Sequence, residues 1–129
     1  MGSMGALLMS PAGIIEWVRE FRAGSSGPLQ LNTWIPDPDP RRDPTAEARV
    51  REFLRQWGPE VPAHAGDVTR PTIDEHCDAF LQVQPRVVSS IMGLFAPDVV
   101  RRFKAAGIAW FATATTLDEA RRAQDAGAD

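Results

Sequence analysis

The sequence predicts an α/β protein built on a parallel sheet. About four short strand-like segments alternate with helix-period segments, the order expected when helices carry the chain between parallel strands. The strands "VVSSIMG" and "IAWFATA" are almost continuously apolar or small, as strands covered on both faces are. Each is followed by a short hydroxyl or small-residue segment and then a proline-opened or capped helix.

The elements follow in order. The leading "MGSMG" has the composition of an expression scar and carries no weight in a fold argument, although it runs on smoothly into "ALLMSP". Ser10 caps a first helix, Pro11 suits its first turn, and Ile14, Trp17, Val18 and Phe21 recur at helical spacing. "AGSSG" breaks that helix, and "PLQLNTW" reads as a buried strand. "IPDPDPRRDP" has four prolines in ten residues, which excludes a helix interior or a central strand. Asp43 then caps a second helix with Pro44 in its first turn. Its apolar face, Val50, Phe53, Leu54 and Trp57, needs something to lie against. "GPEVPAHAGDVTRP" is a second loop. Thr72 and Glu75 have capping-box spacing before Ile73, Cys77 and Phe80; "RVVSSIMG" is the next strand. Pro97 opens a helix that buries Val99, Val100 and Phe103 and stops at Gly107. "IAWFATA" follows, and Thr116, Glu119 and Gly127 bound the last helix. That helix would lead to a further parallel strand, which "GAD" does not supply. The expected result is an unpaired apolar edge, so the sequence reads as cut or as pairing with a partner.

With 129 residues the chain supports one domain, and 43% apolar with 24% charged residues is ordinary for a globular protein. A net charge of -3 gives no broad attraction for nucleic acid or an anionic membrane. The single cysteine, Cys77, excludes an internal disulfide framework and fits a reducing compartment, and no apolar run approaches the roughly 20 residues of a membrane helix. A cytoplasmic protein is expected.

No phosphate-binding P-loop, nucleophile elbow, HExxH or complete dinucleotide fingerprint occurs. His64 and His76 are read as structural or solvated, Cys77 as a core residue, and the charges of "RRFK" as a solvated helix face; no metal site is expected. Parallel α/β folds build ligand sites at the carboxyl ends of strands, which here means Asn32 to Trp34, Ser89 to Gly93 and Ala112 to Thr115. Trp34, beside the proline-rich loop, is the tryptophan placed to neighbour a ligand. Asn32 is the most informative residue. A buried amide needs partners, and either a flat heteroaromatic ligand or its own turn supplies them. Thr113 and Thr115 either donate to a ligand or cap the next helix.

"PLQLNTW" followed by "VVSSIMGLFAPDVVRRFKAAGIAWFATATTLDEARRAQDAGAD" resembles the nitronate monooxygenases, FMN-dependent flavoproteins with a (β/α)8 barrel. The likeness runs from "GSMGALLMSP" to the end. It implies a partial barrel of about four β/α units over residues 1–129, with residues 35–71 a proline-rich insertion carrying an extra helix. It implies FMN across the carboxyl ends of the strands, with Asn32 and Thr113 as cofactor-binding residues and "SSIMG" along the pocket floor. The implied reaction is oxidation of alkyl nitronates with O2 to carbonyl compounds and nitrite. The family's first strand would precede this chain, and its catalytic histidine and FMN-phosphate loops would follow Asp129. Since a full barrel takes about 250 residues, the chain is about half of one, catalytic residues are absent from it, and it is expected to be inactive alone. The rival expectation is a non-catalytic half-barrel that closes by homodimerisation and binds a flavin or other small ligand.

Overall fold

The computed structural model describes residues 1–38, 41–67 and 70–129. Asp39 and Pro40 of the first expected loop, and Val68 and Thr69 of the second, lie outside the described residues. Two compact units are present, one formed by Met1–Pro36 with Pro71–Asp129 and the other by Asp37–Arg70.

The larger unit holds a four-stranded sheet of β1 (Gly2–Gly5), β2 (Leu29–Trp34), β3 (Val87–Ile91) and β4 (Ala109–Ala112), every pair parallel and in the order β1-β2-β3-β4. Its helices are α1 (Pro11–Gly24), α3 (Ile73–Val83), α4 (Pro97–Ala105) and α5 (Leu117–Asp125); α2 (Pro44–Leu54) belongs to the smaller unit. Register divides the sheet into two faces, since paired residues of neighbouring strands share a side. Met4, Leu31, Val88 and Trp110 lie in one row and, with Leu29 and Ile108, join Ile14 and Val18 of α1, Phe80 and Val83 of α3, and Val100 and Phe103 of α4 in one buried cluster. No strand residue of the other face, Gln30, Asn32 or Trp34 among them, belongs to that cluster. Strands that follow one another in order with their helices on one side form the succession of a (β/α) barrel, whose other face is the interior; doubly wound sheets use both sides.

Two expectations are corrected here. "MGSMG" contains β1: Gly2 donates to Pro28 O (2.9 Å), and Gly2 to Gly5 pair with Leu29 to Asn32. The strand runs close beneath α1 there, since a Cβ at Gly2 would run into the Phe21 ring and have to push it aside. The expectation that β3 and β4 are covered on both faces holds for β3, where Val87 to Ser90 are all buried, and fails at β4, where Phe111 is 45% exposed.

Helix boundaries follow local chemistry. Ser10 Oγ accepts from Gly13 N (3.1 Å), Asp43 Oδ1 accepts from Thr45 N (3.0 Å) and Ala46 N (3.1 Å), and Thr72 with Glu75 makes both halves of a capping box. Gly107 and Gly127 take φ of +71° and +97° at the ends of α4 and α5. At the start of α5 the pattern shifts by one residue. Thr116 Oγ1 accepts from Glu119 N (3.1 Å), while the Glu119 carboxylate reaches back to Thr115. Arg22 donates to Val83 O (2.5 Å) and Gln84 O (3.2 Å), satisfying carbonyls at the end of α3.

In the smaller unit, α2 stops at Leu54 and the chain makes a 3-10 turn at Ala63–Gly66. Arg42 fastens this unit, pairing with Glu47 through two nitrogens and donating to Gly66 O (3.2 Å) and Asp67 Oδ1 (3.2 Å). Among the described residues nothing covers the expected apolar face: Val50, Phe53, Leu54 and Trp57 are 40–76% exposed.

Candidate functional site

Asn32 sits inside β2, in register with Ser89 on β3 and Gly5 on β1. The amide does not cap its own turn. Nδ2 donates to Ser89 Oγ at 2.9 Å and faces Ser89 O at 3.5 Å. Gln30, two residues earlier on the same face, donates from Nε2 to the same Ser89 Oγ at 2.9 Å. One buried hydroxyl oxygen therefore receives two amide donors, filling its lone pairs. Among the described residues no donor reaches Asn32 Oδ1. Beside it, a Cβ built on Gly5 would meet nothing within 4 Å, so the sheet face next to the amide is open.

This row is framed by aromatic side chains. Trp34 follows Asn32 on β2, and Phe111 pairs with Ser89 from β4; they are 44% and 45% exposed. Thr113 lies two residues beyond Phe111, exposed, with its backbone N–H continuing the ladder to Ser90 O (2.9 Å). Thr115 resolves toward capping: its N–H and hydroxyl both donate to Glu119 Oε2, at 2.7 and 2.8 Å. These two bonds from Thr115 hold the Glu119 carboxyl below the usual range. Asn32, Ser89 and Phe111 thus share one face, with Thr113 at its carboxyl end.

The loop after β3 is held from the opposite face. Ser90 Oγ donates to Gly93 O (3.0 Å) and accepts from Trp110 Nε1 (3.0 Å), and a Cβ at Gly93 would stand 2.8 Å from Ile35 Cβ. Between them Met92 takes φ of +67°, an uncommon conformation for a side chain that is not glycine, and it is exposed at the strand's carboxyl end.

The remaining candidates are structural. His76 is buried; Nε2 donates to Met9 O (2.9 Å) and Nδ1 faces Thr33 Oγ1 at 3.5 Å, so the ring ties α3 to the loop after β1. His64 is exposed in the 3-10 turn. Burial, then the nearby Asp74 carboxylate, pushes the Cys77 thiol up to about 12, so it stays protonated and unreactive at neutral pH. Arg101, Arg102 and Lys104 are solvated, with Arg102 paired to Asp78 and Lys104 to Asp129. Among the described residues no cluster of histidine, cysteine, aspartate or glutamate could hold a metal, and no helix is long and apolar enough to cross a membrane.

A cleft of about 740 Å³ opens at the opposite end of the sheet, between Phe21, Arg22, Ser25–Leu29, Gln84–Arg86 and Ala106–Gly107. Those are the segments that lead into the strands, the end of a barrel that serves stability. In (β/α) barrels active sites lie at the carboxyl ends, where the strands stop and the side chains of several converge.

Sequence reasoning missed Ser89 and Gln30 as Asn32's partners. The signal was present in "LQLN", where polar residues alternate with leucines. That period-two pattern marks a strand with one polar face.

The comparisons with known proteins agree with this fold. The sequence profile of the nitronate monooxygenase family matches residues 1–129. A curated nitronate monooxygenase of Paraburkholderia phytofirmans (strain DSM 17436 / LMG 22146 / PsJN) is 30% identical over 139 aligned residues, which take in 100% of this chain and 37% of that protein. Nitroalkane oxidase from Streptomyces ansochromogenes superposes with a TM-score of 0.82 at 25% identity, over 100% of this chain and 37% of that one. The FabK (M276A) mutant from Thermotoga maritima, at 17% identity and a TM-score of 0.68 over 32% of its chain, shares the fold. The chain thus spans about a third of the length of the relatives it matches. On the profile match across its whole length, it belongs to the nitronate monooxygenase family.

Proposed function

We propose that the carboxyl ends of β2, β3 and β4 hold FMN, and that the protein oxidises alkyl nitronates with O2 to carbonyl compounds and nitrite. The observation that carries this reading is Asn32. Its amide nitrogen is engaged by Ser89, its carbonyl oxygen has no donor among the described residues, and it stands on an open sheet face between exposed Trp34 and Phe111. An acceptor set among flat apolar walls suits a flat heteroaromatic ring with N–H donors. Family membership supports the same cofactor and substrate class.

When bound, FMN supplies the electron-accepting ring that this chemistry needs. Asn32 would hold and orient the ring through its carbonyl oxygen, Thr113 would offer a hydroxyl from the end of β4, and Trp34 and Phe111 would keep water from the ring. No residue of the 129 is assigned a proton transfer, so the chain is expected to bind FMN without turning over. The test is titration of FMN into the 129-residue chain, read by flavin fluorescence and visible absorbance. Saturable binding that Asn32→Ala weakens about tenfold, the size of one lost hydrogen bond, supports the reading. Absence of binding overturns the reading, whereas nitrite release from an alkyl nitronate by the chain with FMN overturns only the expectation that these 129 residues do not turn over.

The uncovered sheet face also supports a second reading, a non-catalytic module that pairs with another copy of itself. Sedimentation distinguishes them, since a flavin-bound dimer without turnover favours the module.

A further inference from the structure

We infer that Ser89 is a positioning residue, which fixes the Asn32 amide so that its carbonyl oxygen is presented beside Gly5 as an acceptor for a ligand N–H. The inference rests on the flavin reading for the identity of that ligand and on geometry for the rest. Ser89 is 6% exposed and cannot itself present much surface. Its oxygen is nonetheless the shared acceptor of Gln30 Nε2 and Asn32 Nδ2, each at 2.9 Å. The orientation of Asn32 is set by chemistry. Ser89 O, 3.5 Å from the amide group, can only accept, and only the NH2 side of Asn32 can face it favourably. With Gln30 on the second lone pair, Ser89 Oγ cannot turn its hydrogen toward Asn32 without giving up a bond.

A planar amide held by its nitrogen toward β3 carries its oxygen on the other side. There the register partner on β1 is Gly5, where a Cβ would find nothing within 4 Å. Gly5 has no strained φ, so nothing in the backbone demands glycine at that position. The empty volume beside Asn32 has a chemical reading: a seat for a ring whose edge donates an N–H. An imide or ureide edge, N–H flanked by carbonyls, is the chemical class selected, and the flavin pyrimidine ring belongs to it. A ligand edge of acceptors alone would meet the Asn32 oxygen unfavourably.

The test uses the whole 129-residue chain and two readouts. The first needs no ligand: the side-chain 15N–1H2 resonances of Asn32, assigned by their loss in Asn32→Asp. In the wild type the two amide protons should be widely separated, with the one bonded to Ser89 slow to exchange. Ser89→Thr, which keeps the hydroxyl, should preserve this, and Ser89→Ala should bring the two protons together. The second readout is FMN fluorescence. Ser89→Ala should weaken binding about tenfold, with Ser89→Thr restoring it. Gly5→Val should fold normally, leave the Asn32 resonances separated and abolish binding by filling the seat. Unchanged Asn32 resonances and unchanged FMN affinity in Ser89→Ala would overturn the proposal, as would wild-type affinity in Gly5→Val. If Ser89→Ala does not fold, the wild-type resonances and Gly5→Val decide it, and amide protons with only the separation and fast exchange of a free, solvated asparagine amide would overturn it. Asn32 resonances that respond to Ser89→Ala in a chain that takes up no FMN would support Ser89's positioning role and remove the flavin reading alone.

Discussion

Two glycines require glycine for different reasons, and substitution separates them. Gly93 is crowded: a Cβ would stand 2.8 Å from Ile35 Cβ, in the turn that Ser90 holds by its bond to Gly93 O. Gly107 is in open space but at φ of +71°. Alanine should therefore destabilise at both positions, by about 1–3 kcal/mol through overpacking at Gly93 and about 1–2 kcal/mol through left-handed strain at Gly107. Asparagine tells them apart in thermal or urea unfolding. Its short polar side chain tolerates the left-handed region, so Gly107→Asn should recover part of the loss, whereas Gly93→Asn should be worse than Gly93→Ala. Equal rankings at the two sites would contradict the assignment. The legible part of the site at this scale was Asn32 itself, an amide where a strand should be apolar. Its partner was not legible, because Ser89 lies 57 positions away and only the register of β2 on β3 brings them together.

Helix starts were legible because capping is local. Ser10, Asp43, Thr72 and Thr116 each bond a backbone N–H two or three residues on, and a short stretch of sequence contains the whole interaction. Strand β1 was not, since Gly2–Gly5 has no strand propensity and becomes a strand through pairing with β2 under the Phe21 ring. The apolar period of α2 was also real without yielding a buried face. The caps bring a pH dependence. Backbone and side-chain bonds from Thr72 hold the Glu75 carboxyl below its ordinary range, and Thr115 does the same for Glu119. A folded pKa below the unfolded value of about 4.3 means the contribution is complete above that pH and lost as pH falls through the lower folded value. The melting temperature should fall on acidification below pH ~4. Glu75→Gln and Glu119→Gln should be less stable than wild type at pH 7 and approach it in acid. Parallel wild-type and variant curves would contradict this.

At the scale of the whole molecule, the two units differ in what holds them. The larger has a buried cluster spanning strands and helices, whereas no described residue between 37 and 70 is buried. Limited trypsin digestion should therefore cut first among Arg41, Arg42, Arg49, Arg51 and Arg55, leaving α1, α3 and α4 intact. Early cleavage within α3 would mean the core is not the stable part. The sheet's outer edge is also less open than its sequence implied. Asp129 N donates to Trp110 O (2.8 Å) and its carboxylate accepts from Trp110 N (2.9 Å), so the Trp110 backbone is already satisfied. Pairing of another copy along β4 would first have to displace Asp129, which weighs against the edge as a dimer contact.

The strand order has a further consequence, in the entropy of closing loops. The crossing from Trp34 to Val87 encloses the unit at Asp37–Arg70 and is more than twice as long as the crossing from Gly5 to Leu29. Closing a flexible loop grows only with the logarithm of its length, so one doubling costs about 0.6 kcal/mol. The pairing of β2 with β3 tolerates that easily. The same sheet can be kept while this one crossing is lengthened, shortened or rebuilt, and the row of Gly5, Asn32 and Ser89 keeps its register throughout.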